Sequence, residues 1–152
     1  MVVRALATTD ETVAREQLDA MLGGSRYAAR ALEQLDVALA GGDPEYSGLV
    51  VVGPAGETVA GLLLYGAVAG AAGVVRVHWL AGSSPDACVT LIRCLRASLP
   101  DARLLLCELA DDEAFDAARA ALAAAGFRRE GRVPDFFADG VGLDLMVARP
   151  PA

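Results

Sequence analysis

Apolar positions in the N-terminal part of the chain follow first a strand pattern and then a helical one. Residues 2–7 are a short apolar run that predicts a strand. Thr9-Asp10 then offers an N-cap, and the double glycines at 23–24 and 41–42 end two helical segments. The apolar stripes of these segments are Leu18, Met21 and Leu22 in the first and Leu32, Leu35 and Leu39 in the second. The pattern therefore predicts a strand followed by two helices.

The middle of the chain changes to extended segments. Residues 49–52 and 58–68 flank the turn residues 53–56, and this arrangement predicts an antiparallel hairpin. The next strand is expected over residues 74–80. Because side chains alternate along a strand, we expect Trp79 to face the core and His78 to face the opposite side.

A strand–helix–strand unit follows. Ser84 suits an N-cap and Pro85 the first helical position, so a helix is expected over residues 85–98. Residues 104–107 are continuously apolar, as in a strand buried on both faces, and the helical connection predicts that they run parallel to the preceding strand. The chain then continues with an alanine-rich helix over 113–125 and two strands, 127–133 and 142–147, around the turn Ala138-Asp139-Gly140.

Composition places the chain among globular proteins. It has 152 residues, 55% of them hydrophobic and 22% charged, which suits one domain over residues 1–152. The formal net charge of -7 argues against nucleic acid as a partner, because such binding depends on cations that neutralise phosphates. The first residues lack a signal-peptide core, and no apolar run is long enough to span a membrane. We therefore expect a cytoplasmic protein that does not bind membranes.

The cysteines do not form a recognisable motif. Cys88, Cys94 and Cys107 are odd in number and widely spaced, unlike a disulfide framework or a paired zinc site. We expect them to be buried thiols that pack as small apolar residues. One histidine and scattered carboxylates give no metal-ligand spacing, so no metal is predicted.

The C-terminal segment carries the most specific resemblance to a known family. The stretch AARAALAAAGFRREGRVPDFFADGVGLDLMVAR resembles the helix, Gly-Phe strand entry, aromatic-acidic loop and closing strand of the GNAT superfamily of N-acetyltransferases. VHWLAG resembles that family's fourth strand, and the element order is similar over nearly the whole chain. The resemblance implies an α/β (α+β) fold with one mixed, mostly antiparallel, twisted sheet of about seven strands, flanked by about four helices. Its central parallel strands 4 and 5 would splay apart.

The resemblance also implies a site for acetyl-CoA, the co-substrate of the family. Leu80, Ala81 and Gly82, at the end of the fourth strand, would offer backbone groups to the pantetheine arm, as an added strand does. Ser83, Ser84 and Ala87 would hold the diphosphate at the N-terminus of the next helix.

The chain departs from the family pattern at two places. The loop over 83–88 is shorter than usual, Pro85 lacks an N–H, and Asp86 puts a carboxylate where the diphosphate would lie. The family's tyrosine, which donates a proton to the CoA thiolate, is Leu122 here, and an asparagine often found before it is Phe115. Leu122 cannot donate a proton.

Two side chains are candidate catalytic bases. His78 is the only histidine, and an imidazole can take a proton from an ammonium group near neutral pH. Glu108, near the end of the fifth strand, would act directly or through water. The alternatives are a hydrogen-bonded strand histidine and a solvated or paired carboxylate.

Three residues are candidates for binding the acceptor. Tyr65 on the third strand would line the acceptor pocket or stand in for the missing tyrosine, or else be an amphipathic wall residue. Asp135 and Phe136 belong to a stretch that resembles the family's acceptor-side loop, where carboxylates would attract an amine. The alternative is an ordinary turn between two strands.

Two classes of function remain open from the sequence. An N-acyltransferase would move acetyl from acetyl-CoA to an amine of a small molecule or peptide, with a backbone N–H near Ala81 polarising the thioester. A catalytically inactive relative would instead bind a ligand or a partner protein. The first predicts an open cleft between strands 4 and 5, and the second a cleft filled by side chains such as Cys88, Leu91 or Phe115. A homodimer paired through a sheet edge is compatible with both.

Overall fold

Strands and helices follow the order that the sequence predicts. The computed structural model describes residues 1–56 and 58–150. The strands are β1 (Val2–Ala5), β2 (Ser47–Val52), β3 (Val59–Ala67), β4 (Val74–Gly82), β5 (Leu104–Ala110), β6 (Arg128–Ala138) and β7 (Val141–Ala148). The α-helices are α1 (Glu11–Leu22), α2 (Ala28–Ala40), α3 (Pro85–Ser98) and α4 (Asp116–Ala124). Short 3-10 turns, Thr8–Asp10 and Glu113–Phe115, precede α1 and α4.

The strands form one mixed sheet in the order β1-β2-β3-β4-β5-β7-β6. Neighbouring strands are antiparallel except β4 and β5, which are parallel. Because α3 connects β4 to β5, this pair is the predicted strand–helix–strand unit. The expected α/β architecture, with its central parallel pair, is confirmed.

Helices cover both faces of this sheet. Trp79 of β4 bonds to Gln34 of α2, whereas a Cβ placed on Gly82 of β4 would lie 2.7 Å from Sγ of Cys88 on α3. Trp79 and Gly82 are an odd number of positions apart, so α2 and α3 lie on opposite faces. The core between these layers is mainly leucine, with Leu18, Leu22, Leu35, Leu62, Leu63, Leu64, Leu91, Ile92, Leu95 and Leu122 fully buried.

β4 and β5 separate part-way along their length. Their pairing runs from Val74–Leu104 to Val77–Cys107 and then stops. Beyond that point β5 pairs with β7 alone, and β4 continues to Gly82 beside β3, within the ranges that the structure describes. The two strands therefore splay apart at their carboxyl ends, and one edge of β4 over residues 78–82 is left unpaired.

A β-bulge interrupts β4 at His78. Leu64 of β3 lies opposite Trp79, but the next β3 residue, Tyr65, lies opposite Val77, so His78 is the extra residue. A bulge breaks the strict alternation of side chains. His78 and Trp79 consequently line the same cavity, and the expectation that they face opposite sides is wrong.

Asp10 ties β1 to the start of α1. Its carboxylate accepts hydrogen bonds from both terminal nitrogens of Arg4, at 2.8 and 2.9 Å, and from the Ala7 N–H at 2.9 Å. The Arg4 guanidinium holds the pKa of Asp10 below its usual range. Asp10 occupies the N-cap position, but its side chain makes no capping bond to α1. The capping role expected of Thr9-Asp10 is thus replaced by an ion pair with β1.

Candidate functional site

A large cavity lies against the splayed part of the sheet, on the side of α2. Its volume is about 530 Å³, which is within the usual range for small-molecule sites. We call it the aromatic cavity. It is lined by Arg26, Tyr27, Arg30, Gln34, Tyr46, Arg76, Val77, His78, Trp79, Glu108, Ala110, Phe115, Phe136 and Phe137.

Ring contacts build much of the wall of the aromatic cavity. Tyr27 lies between Phe115 and Phe137, at centroid distances of 4.9 and 5.7 Å with nearly perpendicular rings. Trp79 lies 6.2 Å from Phe115, and Phe136 lies 4.9 Å from Phe137. The Trp79–Phe115 pair is tilted by 32°, and the other three pairs are edge-to-face, which is a favourable arrangement. The wall is therefore a packed cluster that joins α2, β4, β6 and the turn before α4.

His78 is held in one orientation by two contacts. Its Nε2 lies 2.8 Å from the carbonyl oxygen of Glu45, and the ring of Tyr46 stacks on the imidazole at 4.8 Å. A carbonyl can only accept, so Nε2 carries the hydrogen and Nδ1 is left with a free lone pair. Burial lowers the pKa of His78 below 6.5, Arg76 and Arg30 act in the same direction, and the bond to Glu45 opposes them. His78 is therefore neutral at pH 7, as a general base must be.

Glu108 lies in the same cavity and is paired with a cation. Its carboxylate is 3.4 Å from a terminal nitrogen of Arg76. The backbone of Glu108 pairs with Leu145 of β7, on the part of β5 that has left β4. The structure thus brings the two predicted bases, His78 and Glu108, into one cavity.

Two further arginines carry positive charge into this cavity. Arg26 donates a hydrogen bond to the carbonyl of Phe137 at 2.9 Å. Arg30, in the first turn of α2, has no hydrogen bond or ion pair with any residue that the structure describes. Together with Arg76, the cavity lining therefore contains three guanidinium groups and one carboxylate, that of Glu108.

A second cavity, of about 550 Å³, lies at the splayed end of β4. We call it the splay cavity. It is lined by Glu16, Gln17, Ala20, Met21, Leu80, Ala81, Gly82, Ser83, Cys88, Ala114, Ala117 and Ala118. Leu91 and Phe115 are buried and do not belong to this lining, and Phe115 packs on Trp79 of β4 instead. Of the side chains that we considered as plugs, Cys88 alone borders it.

The unpaired edge of β4 offers particular peptide groups. Ser83 N–H donates to Ala60 O on β3 at 2.8 Å. Because the direction of N–H groups alternates along a strand, the N–H of Ala81 also points to β3, and those of Leu80 and Gly82 point to the splay. The donor expected near Ala81 therefore belongs to its two neighbours.

Comparison with known proteins decides what this arrangement is. No protein-family profile and no curated protein sequence matches the chain. Solved structures do match: a protein assigned as a GNAT-family acetyltransferase from Desulfovibrio desulfuricans superposes with a TM-score of 0.77 at 20% identity, over 97% of this chain and 98% of that one. The chain has the GNAT fold.

Two further solved structures show how widely the GNAT fold is shared. The aminoglycoside 6'-N-acetyltransferase from Enterococcus faecium has a TM-score of 0.77 at 12% identity, over 100% of this chain and 99% of that one. The ribosomal-protein-alanine N-acetyltransferase from Brucella melitensis has a TM-score of 0.73 at 14% identity, over 99% and 100%. At these identities the likeness concerns the fold.

The co-substrate that the GNAT fold implies, acetyl-CoA, fits one part of the site and not another. The open edge at Leu80 and Gly82, beside a cavity walled by alanines, suits an amide-rich arm. The diphosphate end does not fit. Ser84 Oγ accepts the N–H of Ala87 at 3.2 Å, Pro85 has no N–H, and the Asp86 carboxylate is exposed in the same turn.

The arginines near α3 do not supply the missing ligands for the diphosphate. No arginine lines the splay cavity in the described part of the chain, and Glu16 gives it a negative group. Arg93 and Arg96 border a different cavity with Arg149, and Arg96 donates to the Ala125 carbonyl at 2.6 Å. The Ser83 N–H and hydroxyl both donate to the Ala60 carbonyl oxygen, at 2.8 and 3.1 Å, so any phosphate ligands must be the remaining N–H groups at the start of α3.

Leu122 and Phe115 have packing roles in this GNAT fold. Leu122 is completely buried in the core, and its carbonyl accepts the N–H of Phe127 at 3.0 Å. Phe115 contacts Tyr27 and Trp79 in the wall of the aromatic cavity. Both side chains are apolar, so neither acts as a proton donor.

The structure separates the three predicted acceptor-binding residues. Phe136 lines the aromatic cavity with 56% of its surface exposed. Asp135 has a positive φ of 55° and accepts the Gly140 N–H at 2.7 Å, so it organises the β6–β7 hairpin outside the cavity lining. Tyr65 lies on the other face of the sheet, where burial and, to a smaller extent, the Cys94 thiol of α3 raise its pKa.

Sequence reasoning missed several residues of the aromatic cavity. Tyr27, Arg30 and Gln34 recur at helical spacing along α2 and give it a polar stripe, which was the signal available. Arg26 precedes this stripe. Tyr46 lies before β2, and no local pattern connects it with His78.

Metal-binding clusters and membrane-spanning helices were sought among the described residues. No group of three or more His, Cys, Asp or Glu side chains in residues 1–56 and 58–150 is placed to hold a metal ion. None of the helices in those ranges combines the length and apolarity that crossing a bilayer requires.

Proposed function

We propose that the chain is an acyl-CoA-dependent N-acyltransferase that acetylates an amine of a small molecule or peptide. The observation that supports this most strongly is the splay of β4 from β5. It leaves the peptide groups of Leu80 and Gly82 open beside one cavity, while His78 and Glu108 line the other. Similar folds serve an aminoglycoside and a protein alanine as acceptors, so the reaction class is supported and the acceptor is left open.

In this proposal the chain binds, orients and deprotonates. Acetyl-CoA supplies the thioester, and the N–H groups of Leu80 and Gly82 bind the amides of its arm. His78 Nδ1 takes one proton from the substrate ammonium, and the free amine attacks the carbonyl carbon. The C–N bond forms as the C–S bond breaks, the electron pair leaves on sulfur, and the second amine proton reaches that sulfur through solvent. No residue is assigned as the acid, because approximation supplies much of the rate in such a transfer.

Glu108 has a supporting role in the proposed reaction. Its carboxylate attracts the incoming ammonium and accepts a proton through a water molecule. Arg76, whose terminal nitrogen lies 3.4 Å away, pairs with that carboxylate and orients it. Loss of Glu108 should therefore weaken the binding of the amine more than it slows the proton transfer.

The test is release of CoA thiol from acetyl-CoA in the presence of a panel of primary amines. We expect turnover with at least one amine, a loss of about 100-fold in kcat for His78→Gln, and a raised KM for Glu108→Gln. Arg128→Gln is a matched surface control that should change neither. If every amine fails, or if His78→Gln is as active as the parent chain, the proposal is wrong.

The start of α3, where the diphosphate of CoA would lie, favours a second function. The Ser84–Ala87 cap, the exposed Asp86 and the buried Leu122 would suit a relative that keeps the aromatic cavity for a ligand without transferring acetyl. Such a protein would bind a small molecule in the aromatic cavity and would show no acetyl transfer. The CoA-release assay therefore separates the two functions.

A further inference from the structure

The charge of the aromatic cavity is opposite to that of the whole chain. The formal net charge is -7, yet Arg26, Arg30 and Arg76 line this one cavity and Glu108 is its single carboxylate. Arg76 is matched by Glu108, and its Nε is buried with no partner. Arg26 and Arg30 form no ion pair in the described ranges. The cavity thus concentrates cationic groups that a ligand, rather than the protein, is placed to neutralise.

Arg26 and Arg30 lie at positions where a positive charge destabilises α2. Arg26 lies just before α2 and Arg30 lies in its first turn, which has no acidic residue. A helix N-terminus carries a partial positive charge, so stability alone favours Asp or Glu there. Local choices that oppose stability are expected at functional sites. Arg26 and Arg30 are both exposed, so an anion beside the start of α2 can reach both guanidinium groups and would offset this unfavourable charge.

The aromatic residues of the chain are also concentrated here. The sequence has one Trp, three Tyr and four Phe. All of them except Tyr65 and Phe127 line the aromatic cavity. Phe136 is 56% exposed and Tyr46 stacks on His78, and both rings border the cavity and are absent from the buried core. A flat apolar group is the natural complement of such a wall.

The carboxylates that the sequence offered as amine ligands lie elsewhere. Asp135 is bonded to Gly140 in the hairpin turn, and neither it nor Asp139 is in the lining. The recognition charge of the cavity is therefore mainly positive, apart from Glu108.

We infer that the aromatic cavity binds a small ligand that carries a carboxylate next to an aromatic ring, with Arg26 and Arg30 as the carboxylate-binding residues and the rings of Tyr46 and Phe136 against its own ring. If the proposed transferase function holds, this ligand also carries the acceptor amine and is an aromatic amino acid. The inference that the ligand has a carboxylate and an aromatic ring does not depend on that function. Planar guanidinium groups suit such an anion, because they can bind both of its oxygens.

Trp79 provides a direct test that needs no CoA. It is the only tryptophan and lines the cavity, so its emission reports occupancy. The probes are L-phenylalanine, 3-phenylpropionate, phenylalaninamide and phenethylamine. We expect saturable changes with the two carboxylates, and at least tenfold weaker binding of the amide and the amine. Rising salt should weaken binding of the carboxylates.

Matched arginine variants locate the carboxylate. Arg26→Gln and Arg30→Gln should each raise the Kd for 3-phenylpropionate roughly tenfold, the loss expected for one hydrogen bond to a charged group. Arg128→Gln removes the same charge from an exposed position of β6 and should leave the Kd unchanged. Circular dichroism of each variant establishes that it is folded before titration.

Three results of the binding experiments would each overturn the inference. These are equal binding of phenethylamine and 3-phenylpropionate, unchanged Kd in both Arg26→Gln and Arg30→Gln, and no emission change with any probe at about 10 mM, a weak limit even for small ligands. Carboxylate binding without acetyl transfer would refute the proposed function alone. Transfer to amines that lack a carboxylate, with no carboxylate binding, would refute this inference alone.

Discussion

Trp79 Nε1 donates a hydrogen bond to Oε1 of Gln34 over 2.6 Å, and this bond joins β4 to α2 across the wall of the aromatic cavity. Gln34 is only 8% exposed, in a helix whose other buried residues are Ala31 and Leu35. The buried indole N–H needs an acceptor, and Gln34 supplies it at this position.

Replacing Gln34 by leucine should therefore cost stability through Trp79. The Gln34→Leu variant leaves the indole N–H without a partner, and we expect the free energy of unfolding to fall by about 1–3 kcal/mol. In a Trp79→Phe background no N–H remains, so the same replacement should cost less. Urea unfolding followed by circular dichroism measures both. Equal costs in the two backgrounds would show that the bond contributes nothing.

Gly82 and Cys88 compete for the same space beside the splay cavity. A Cβ on Gly82 would lie 2.7 Å from Cys88 Sγ, but 3.4 Å or more from other neighbours. Gly82→Ala should destabilise the fold by about 1–3 kcal/mol, as overpacking does. Cys88→Ala in the same chain should recover most of that loss, because it removes the sulfur. Thermal unfolding of the two single variants and the double variant tests this, and a double variant no more stable than Gly82→Ala contradicts it.

His78 should make stability depend on pH in a defined direction. Its folded pKa lies below 6.5, mainly because it is buried, so the unfolded chain binds more protons between the folded and the unfolded pKa. The stability contribution of neutral His78 is complete above about pH 7 and decreases as the pH falls through 6.5 toward the folded pKa. His78→Gln should reduce this slope relative to the parent chain between pH 5 and 7. Identical slopes in denaturant unfolding would contradict the assigned shift.

Cys107 should resist alkylation while the chain is folded. Burial raises its pKa to about 12, so only about one thiol in ten thousand is ionised at pH 8. Cys94 is less buried and should be labelled first. Mass spectrometry after iodoacetamide treatment should find Cys107 modified only in denaturant. Rapid labelling of Cys107 in native buffer would show that β5 opens at the splay.

The order of the helices and strands was predictable from local patterns, because the spacing of apolar residues and the turn and cap residues between them were sufficient. The double glycines after α1 and α2, the Ser84-Pro85 start of α3 and the Asp139-Gly140 turn each act within a few residues. The parallel pair followed from the α3 connection. A homodimer paired through the sheet edges, which are β1 and β6, stays a prediction.

The site was less predictable because its residues meet through tertiary contacts. The bulge at His78 depends on the register between β3 and β4, which no local pattern specifies. It places His78 and Trp79 in one cavity against expectation. Asp135, by contrast, resembled a substrate ligand in sequence, and its bond to Gly140 shows that the turn uses it.

Calorimetric titration with acetyl-CoA and CoA tests the central claim most directly. The mismatch at Ser84 and Asp86 makes binding of the diphosphate the weakest step of the proposal. We predict saturable binding in the micromolar range and a raised thermal unfolding temperature with ligand. The absence of both binding heat and a thermal shift at about 1 mM CoA would contradict the transferase function. About 1 mM is at the weak end of the KM values of enzymes, so functional binding would be detected.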